Sequence, residues 1–370
     1  MEEKFEIDAD DVELETATFK ESARRSQALW EDLPRNPQKY RVLTGDRPTG
    51  SLHIGHLFGT VANRVRIENL GTTTFIVIAD YQVLTDRDTA EAVGANVREM
   101  LLDYLASGLD PENGRTFFFS HSHIPELNQL LLPFMSLVTT AELDRNPTVK
   151  DEIRAAGLRQ VNALMYTYPI HQAADILFCK GNVVPVGRDQ LPHLELTRKI
   201  ARRFNERFCP AAPVFPVPDA LLSDLPVVLG TDGQKMSKSR GNTIMLKMTA
   251  EETAKVIKGA KTDTDRNITY DPQNRPEVAN LLRLVAICTG DSPEAVAARI
   301  GDGGGGKLKA LLTEALNGYL APLRDRRARY AADPAYVQAV LRRGVERARE
   351  EGITTLKQVR KAMNMDHGLD

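Results

Sequence analysis

The sequence predicts an α/β protein, a doubly wound parallel sheet joined to an all-helical C-terminal domain, and three observations carry that prediction. The run Phe75-Ile76-Val77-Ile78-Ala79 has no polar interruption, the pattern of a strand buried on both faces of a parallel sheet. Strand-like and helix-like stretches alternate from Tyr40 to Phe208, as right-handed crossovers between parallel strands require. Beyond Ala250 the strand signals fade, and Val278 to Cys288, Leu308 to Tyr330 and Ala335 to Glu350 show helical periodicity with many arginines.

Taken in order, the first 16 residues carry eight acids against one lysine, a self-repelling block with little apolar surface, expected as a disordered or loosely attached tail. Residues 17 to 38 predict a helix around the sole tryptophan, Trp30, ended by Pro34 and Pro37. A short strand up to Thr44 leads into a turn built on Gly45, Pro48 and Gly50 and then a helix to Gly71. The strand at Phe75, a helix over Ala90 to Leu109, a third strand from Thr116 to Phe119 and a helix from Gln190 to Phe208 complete the alternation. The expected division is an N-terminal extension over residues 1–38, partly disordered or helical, an α/β domain over 39–250 and a helical domain over 251–370.

At 370 residues and 42% hydrophobic content the chain can bury a large core over two or three domains. A net charge of −2 gives no global positive field, so a nucleic acid would have to meet a local basic patch. Cys179, Cys209 and Cys288 are far apart and form no CxxC pair, which argues against a disulfide framework or a zinc site. No apolar run reaches about 18 residues, so a cytoplasmic protein without a membrane span is expected.

Two motifs carry chemistry. The first is Gly45-Asp46-Arg47-Pro48-Thr49-Gly50-Ser51-Leu52-His53-Ile54-Gly55-His56, a strand-to-helix turn. Free N–H groups and the dipole at a helix start favour phosphate, Gly55 permits close approach, and His53 and His56 can hydrogen-bond a phosphate gaining charge. A helix cap with two incidental histidines is the competing reading. The second is Lys235-Met236-Ser237-Lys238-Ser239 after the turn-prone Gly230-Thr231-Asp232-Gly233, two lysines and two serines suited to a pyrophosphate leaving group. A lysine-rich solvated loop is its competing reading. A third segment, Tyr168 to Asp175, is helical, so Tyr168, Gln172 and Asp175 share one face. By contrast Gly301 to Lys307 matches the GxxxxGK part of a P-loop, but Leu308 replaces the magnesium-binding Ser/Thr and no strand leads into it, so a flexible interhelical loop is expected.

His53-Ile54-Gly55-His56 together with Lys235 to Ser239 resembles the HIGH and KMSKS signatures of class I aminoacyl-tRNA synthetases, whose catalytic domain is Rossmann-like. Tyr168, Gln172 and Asp175 match the spacing of the tyrosyl members. Leu43, where those members place a tyrosine, the block Val183 to Glu195 and the segment Leu316 to Arg327 resemble the tryptophanyl members instead, over roughly residues 39 to 365. Gln82 and Gln172 are similar to their divergent, auxiliary bacterial type.

The resemblance implies a tryptophan--tRNA ligase that uses ATP with Mg2+, L-tryptophan and tRNA(Trp) and acts as a homodimer, with no resident metal. It implies that Asp175 accepts the indole N–H, that Tyr168 and Gln190 hold the α-ammonium, and that Leu43, Gln82, Gln172, Val184 and Val186 complete the amino-acid pocket. Arg47, Pro48, Thr49, Gly55, His56, Gly187, Arg188, Asp189 and Val227 would line the nucleotide, with Lys235, Met236, Ser237, Lys238 and Ser239 closing on pyrophosphate. His53, His56, Lys235 and Lys238 would be the catalytic set. Arg324, Arg326, Arg327 and Arg329 form a basic cluster expected to meet tRNA phosphates or, equally, to be a solvated helix face. The alternatives are a tyrosyl enzyme and a non-catalytic tryptophan-sensing paralogue, the latter opposed by the intact histidines and lysines.

Overall fold

The computed structural model describes residues 9–85, 90–156, 161–187, 190–222 and 228–369. Its strands are β1 (Arg41–Asp46), β2 (Thr73–Ile78), β3 (Thr116–Ser120), β4 (Val183–Val186) and β5 (Asp219–Leu222). They form one parallel sheet in the order β3-β2-β1-β4-β5. Chain progression therefore reverses between β1 and β4, and ligands of doubly wound sheets bind at the carboxyl ends of the strands at such a switch point.

Helix α1 (Ala9–Asp32) precedes the sheet. The short α2 (Ile54–His56), a π turn over Leu57–Val61 and α3 (Ala62–Asn69) link β1 to β2, and α4 (Val93–Ala106) links β2 to β3. Then come α5 (Pro125–Asn128), α6 (Leu131–Met135), α7 (Thr140–Asp144), α8 (Pro147–Ala156) and α9 (Ala163–Phe178). A crossover through α10 (Leu191–Phe208) reaches β5, and α11 (Ala250–Lys258), α12 (Pro276–Thr289), α13 (Pro293–Ile300), α14 (Gly304–Ala332) and α15 (Pro334–Ala362) follow. Among the described residues no helix is long and apolar enough to cross a membrane.

Alternation along the inner strands builds two cores. Ile76, Ile78 and Phe118 face one with Phe58, Tyr104, Leu282 and Leu312, while Phe75, Val77 and Phe119 face the other with Ile170, Phe178 and Phe204. Burial on both faces is why β2 needs an uninterrupted apolar run, and each such side chain contributes about 1.5–3 kcal/mol of transfer free energy.

Both sheet edges are covered by helices. On the β5 side, Ser26 Oγ of α1 accepts the Leu222 N–H at 2.9 Å and Trp30 Nε1 donates to the Leu222 carbonyl at 3.3 Å. On the β3 side, α15 contributes Val337 and Val340 to one core and Ala348, Leu356 and Val359 to the other. It crosses the edge at Gly344, where a Cβ would lie 1.9 Å from the Phe118 carbonyl oxygen, so only glycine lets the backbones approach. An open edge would offer unpaired backbone groups to other chains.

Two expectations are corrected here. The acidic start is not wholly a tail, because α1 begins at Ala9. A helix anchored on β5 propagates toward its N-terminus, where the positive dipole end tolerates acidic residues. Residues 1–8 lie outside the described residues. The GxxxxGK segment is not a flexible loop: Gly301–Gly303 is a 3-10 turn and Gly304 opens α14, its N–H donating to the Arg266 carbonyl at 2.9 Å.

Candidate active site

The phosphate-type end of the site starts where β1 stops. Asp46 lies against Arg64 at 2.6 Å, and Tyr104 donates to the same carboxylate. Burial alone would raise this carboxyl, but the charge and hydrogen bond of Arg64 outweigh it and hold Asp46 at about 2. The turn over residues 47–50 stands on this anchored ion pair.

His53 precedes α2, and its backbone N–H donates to His56 Nδ1 at 3.3 Å, bringing the ring centroids to 3.7 Å. Burial, then the charges of His56 and Lys238, push His53 down to about 3, and burial likewise lowers His56. Both rings are therefore neutral near pH 7 and act as hydrogen-bonding groups, leaving cationic charge to lysine. A Cβ on Gly55 would lie 2.9 Å from His53 Nδ1 and 3.3 Å from Met236 Sδ, so the glycine lets the loop that carries Met236 seat on the turn.

That loop is held on both sides. Ile54 N–H donates to the Ile244 carbonyl at 2.9 Å and Leu246 N–H to the Leu52 carbonyl at 3.0 Å, tying it to the start of α2. Asn242, 2% exposed, accepts the Ser237 N–H at 2.8 Å and donates to Asp232 and the Lys235 carbonyl. Lys238 Nζ then reaches across to the Thr49 carbonyl at 3.0 Å. Lys235 is exposed, Met236 buried, and Ser239 lies in the 3-10 turn Lys238–Arg240. Arg188, Asp189 and Val227 lie outside the described residues.

The other end is built on α9, whose Asn162 cap accepts the Met165 N–H at 2.7 Å. Asp175 is 2% exposed, and its Oδ2 accepts from His121 Nε2 at 2.9 Å at the carboxyl end of β3. His171, one helical turn before Asp175, packs edge-on to His121 at 4.6 Å between centroids. Tyr81 lies at 6.4 and 6.3 Å from the two rings. The ligand atoms of His121, His171 and Asp175 lie within 4.8 Å of one another, close enough to hold one metal ion.

Tyr168 bonds His193 Nε2 at 2.8 Å, and His193 Nδ1 meets Asn146 at 3.1 Å. Burial and then the Glu152 carboxylate raise the Tyr168 hydroxyl well above its ordinary value. Glu152 itself bonds that hydroxyl, placing a carboxylate from α8 where an ammonium group could be met. Gln172 and Gln82 are half-buried; Leu43 and Val184 are sealed in the core, with Val186 half-buried above them. Gly187 is exposed after β4, and its carbonyl accepts the Gln190 N–H at 3.1 Å.

The two ends join through Arg47, which donates to Thr85 Oγ1 at 3.1 Å and whose charge acts on Tyr168. Sequence spacing does not show His121 and His193, whose partners lie 54 and at least 25 residues away, and Asn242 and Glu152 belong to no motif that marks them. His171 was within reach, standing four residues before Asp175 on the same helix face.

One expectation fails. Arg324 bonds Asn317 and Thr253, Arg326 donates to the Ala106 carbonyl at 2.7 Å, and Arg327 pairs with Glu99 and Asp103, each at 2.7 Å. Arg326 and Arg327 fasten α14 to α4 and Arg324 ties it to α11, so these three arginines do not present a free cluster to phosphates. Arg329 alone of the four is exposed.

Comparison with known proteins agrees with this geometry. The profile of the family tRNA synthetases class I (W and Y) matches residues 35–321. A tryptophan--tRNA ligase of Treponema pallidum is 40% identical over 336 residues, covering 88% of this chain and 97% of the relative. One from Thermotoga maritima is 38% identical, covering 88% and 99%. The structure of tryptophanyl-tRNA synthetase from Campylobacter jejuni complexed with ADP and tryptophan superposes with a TM-score of 0.76 at 28% identity, covering 88% and 99%. A tyrosyl-tRNA synthetase from Archaeoglobus fulgidus, at 22% identity and a TM-score of 0.63, shares the fold. The chain belongs to the class I tRNA synthetases of the W and Y family, among the tryptophan--tRNA ligases.

Proposed function

We propose that the chain activates L-tryptophan with ATP and transfers it to tRNA(Trp), releasing AMP and pyrophosphate. The observation that carries this reading is Lys238 drawn onto the turn at Thr49 beside two neutral histidines, at the carboxyl end of β1, with the buried Asp175 bonded to His121 at the carboxyl end of β3. The tryptophan carboxylate attacks the α-phosphate of ATP, pyrophosphate leaves, and a ribose hydroxyl of the terminal adenosine then takes the aminoacyl group from the adenylate. No side-chain nucleophile is needed, so catalysis is positioning and charge stabilisation.

In this reading Arg47, Pro48, Thr49, Gly55 and His56 lie along the nucleotide, with Gly187, Arg188, Asp189 and Val227 beside them. His53 and His56 donate hydrogen bonds to the reacting phosphate, and Lys235 and Lys238, with Met236, Ser237 and Ser239, close on pyrophosphate. Mg2+ fits as the ion carried in on the triphosphate oxygens, adding positive charge to a site whose histidines are neutral. Asp175 accepts the indole N–H, Tyr168 and Gln190 meet the α-ammonium, and Leu43, Gln82, Gln172, Val184 and Val186 enclose the side chain.

We further propose residues 39–250 as the catalytic unit, residues 251–370 as the tRNA-binding unit, a cytoplasmic location and a homodimer. Exposed Leu132 and Met135 on α6 offer apolar surface for a second copy. ATP–pyrophosphate exchange measured against each of the twenty amino acids tests the activity. Exchange with tryptophan alone is expected; exchange with tyrosine, or with none, would refute it.

A further inference from the structure

Three buried polar atoms at the amino-acid end of the site have no partner among the described residues: His121 Nδ1, His171 Nδ1 and Asp175 Oδ1. Their residues are 0%, 4% and 2% exposed. Water does not reach them freely, and a buried polar group left unpaired is unfavourable unless a ligand supplies the missing bond.

The surrounding bonds decide which of these atoms are acceptors. Asn128 Nδ2 donates to the carbonyls of His121 at 3.2 Å and Ile124 at 3.1 Å, which turns Asn128 Oδ1 towards His171. His171 Nε2 stands 2.7 Å from that oxygen and must carry the proton. Burial lowers the pKa of His171, so the ring is neutral and its Nδ1 presents a lone pair. His121 Nε2 in turn donates to Asp175 Oδ2. One carboxylate oxygen is thereby used, and the other is left open.

We propose that His121 is a positioning residue of the amino-acid site: by engaging Asp175 Oδ2 it leaves Oδ1 to meet the substrate N–H, with His171 Nδ1 as a second acceptor beside it. The proposal rests on the reading that Asp175 meets the indole. A side chain must then bring a hydrogen-bond donor to this point. A ring with sulfur in place of the N–H would leave Asp175 Oδ1 unpaired, and a site built for a donor rejects such an analogue far better than one that measures only size.

The test is pyrophosphate exchange with tryptophan and with β-(1-benzothiophen-3-yl)alanine, in which sulfur replaces the indole N–H. His121→Leu frees the carboxylate to turn, and should raise the KM for tryptophan by about tenfold while kcat changes less than about twofold. The KM for the sulfur analogue should stay near its wild-type value, so discrimination falls. His121→Gln, whose amide reaches as far as Nε2, should restore most of it. Should His121→Leu not fold, His121→Asn, too short to reach Asp175, carries the same expectation. An equal rise in KM for both substrates, or no recovery in His121→Gln, would overturn the proposal. One zinc ion per purified chain, released by tryptophan, would also overturn it, since Oδ1 would then serve a metal. A wild-type chain that exchanges with tryptophan yet accepts the analogue equally well would instead sink the role of Asp175 and leave the activity standing.

Discussion

The two ends of the site solve different problems with different materials. At the phosphate end the polar groups sit on a turn and a loop, and most are already bonded within the chain, as Lys238 is to Thr49 and Asn242 to its loop. At the amino-acid end they sit inside a helix and at a strand terminus, buried, with lone pairs that no atom of the described residues satisfies. Charge that develops during a reaction can be met by a side chain that changes partner. A neutral N–H is recognised only by acceptors that are fixed and shielded beforehand.

The contrast can be broken experimentally, beginning with the largest effect. Asp175→Ala removes the fixed acceptor, and kcat/KM for tryptophan in pyrophosphate exchange should fall on the order of a thousandfold. Exchange at the wild-type rate would mean that recognition lies elsewhere. Lys238→Ala should lower kcat about a hundredfold and move the tryptophan KM less than about twofold. Equal losses in both would erase the distinction between the ends.

Two smaller effects sharpen the picture. Asn242→Ala unties the loop without touching the pocket, and should lower kcat about tenfold with tryptophan binding unchanged in equilibrium titrations. A parallel loss of tryptophan affinity would show that loop and pocket are one unit. The smallest effect is a pH dependence. His53 is held at about 3 against an ordinary 6.5, so the unfolded chain takes a proton that the folded chain refuses. Its contribution therefore lowers stability progressively as pH falls from 6.5 towards 3 and vanishes above that window. His53→Gln should flatten this acid loss in thermal melts and leave stability at higher pH unaltered by titration. An unchanged acid slope would mean that the ring is solvated.

Local pattern made β1, β2 and β3 legible, because strands buried on two faces need apolar runs. β4 and β5 are four residues each, and Pro185 interrupts the first, so neither stood out from its surroundings. The two edge-covering helices were invisible as such. The helix expected around Trp30 gives no sign in the sequence that Ser26 and Trp30 clasp Leu222, and Gly344 looks incidental until Phe118 lies against it. In the site, motif spacing identified both loops. What spacing could not show was partnership across the chain: His121 with Asp175, His193 with Tyr168, and the arginines of α14, whose count suggested nucleic acid while their bonds run to Asp103, Glu99 and a carbonyl.

The late arrival of α15 has a consequence for how the protein is made. Its Arg349 closes on Glu126, 223 residues earlier in the chain. At the ribosome, that interval lasts roughly 10 to 45 s. Throughout it the rim of the nascent sheet at β3 has no glycine-bearing helix to shelter it. An exposed edge invites pairing with other chains, so slowing translation over the codons of α15 should raise the share of chains lost to aggregation.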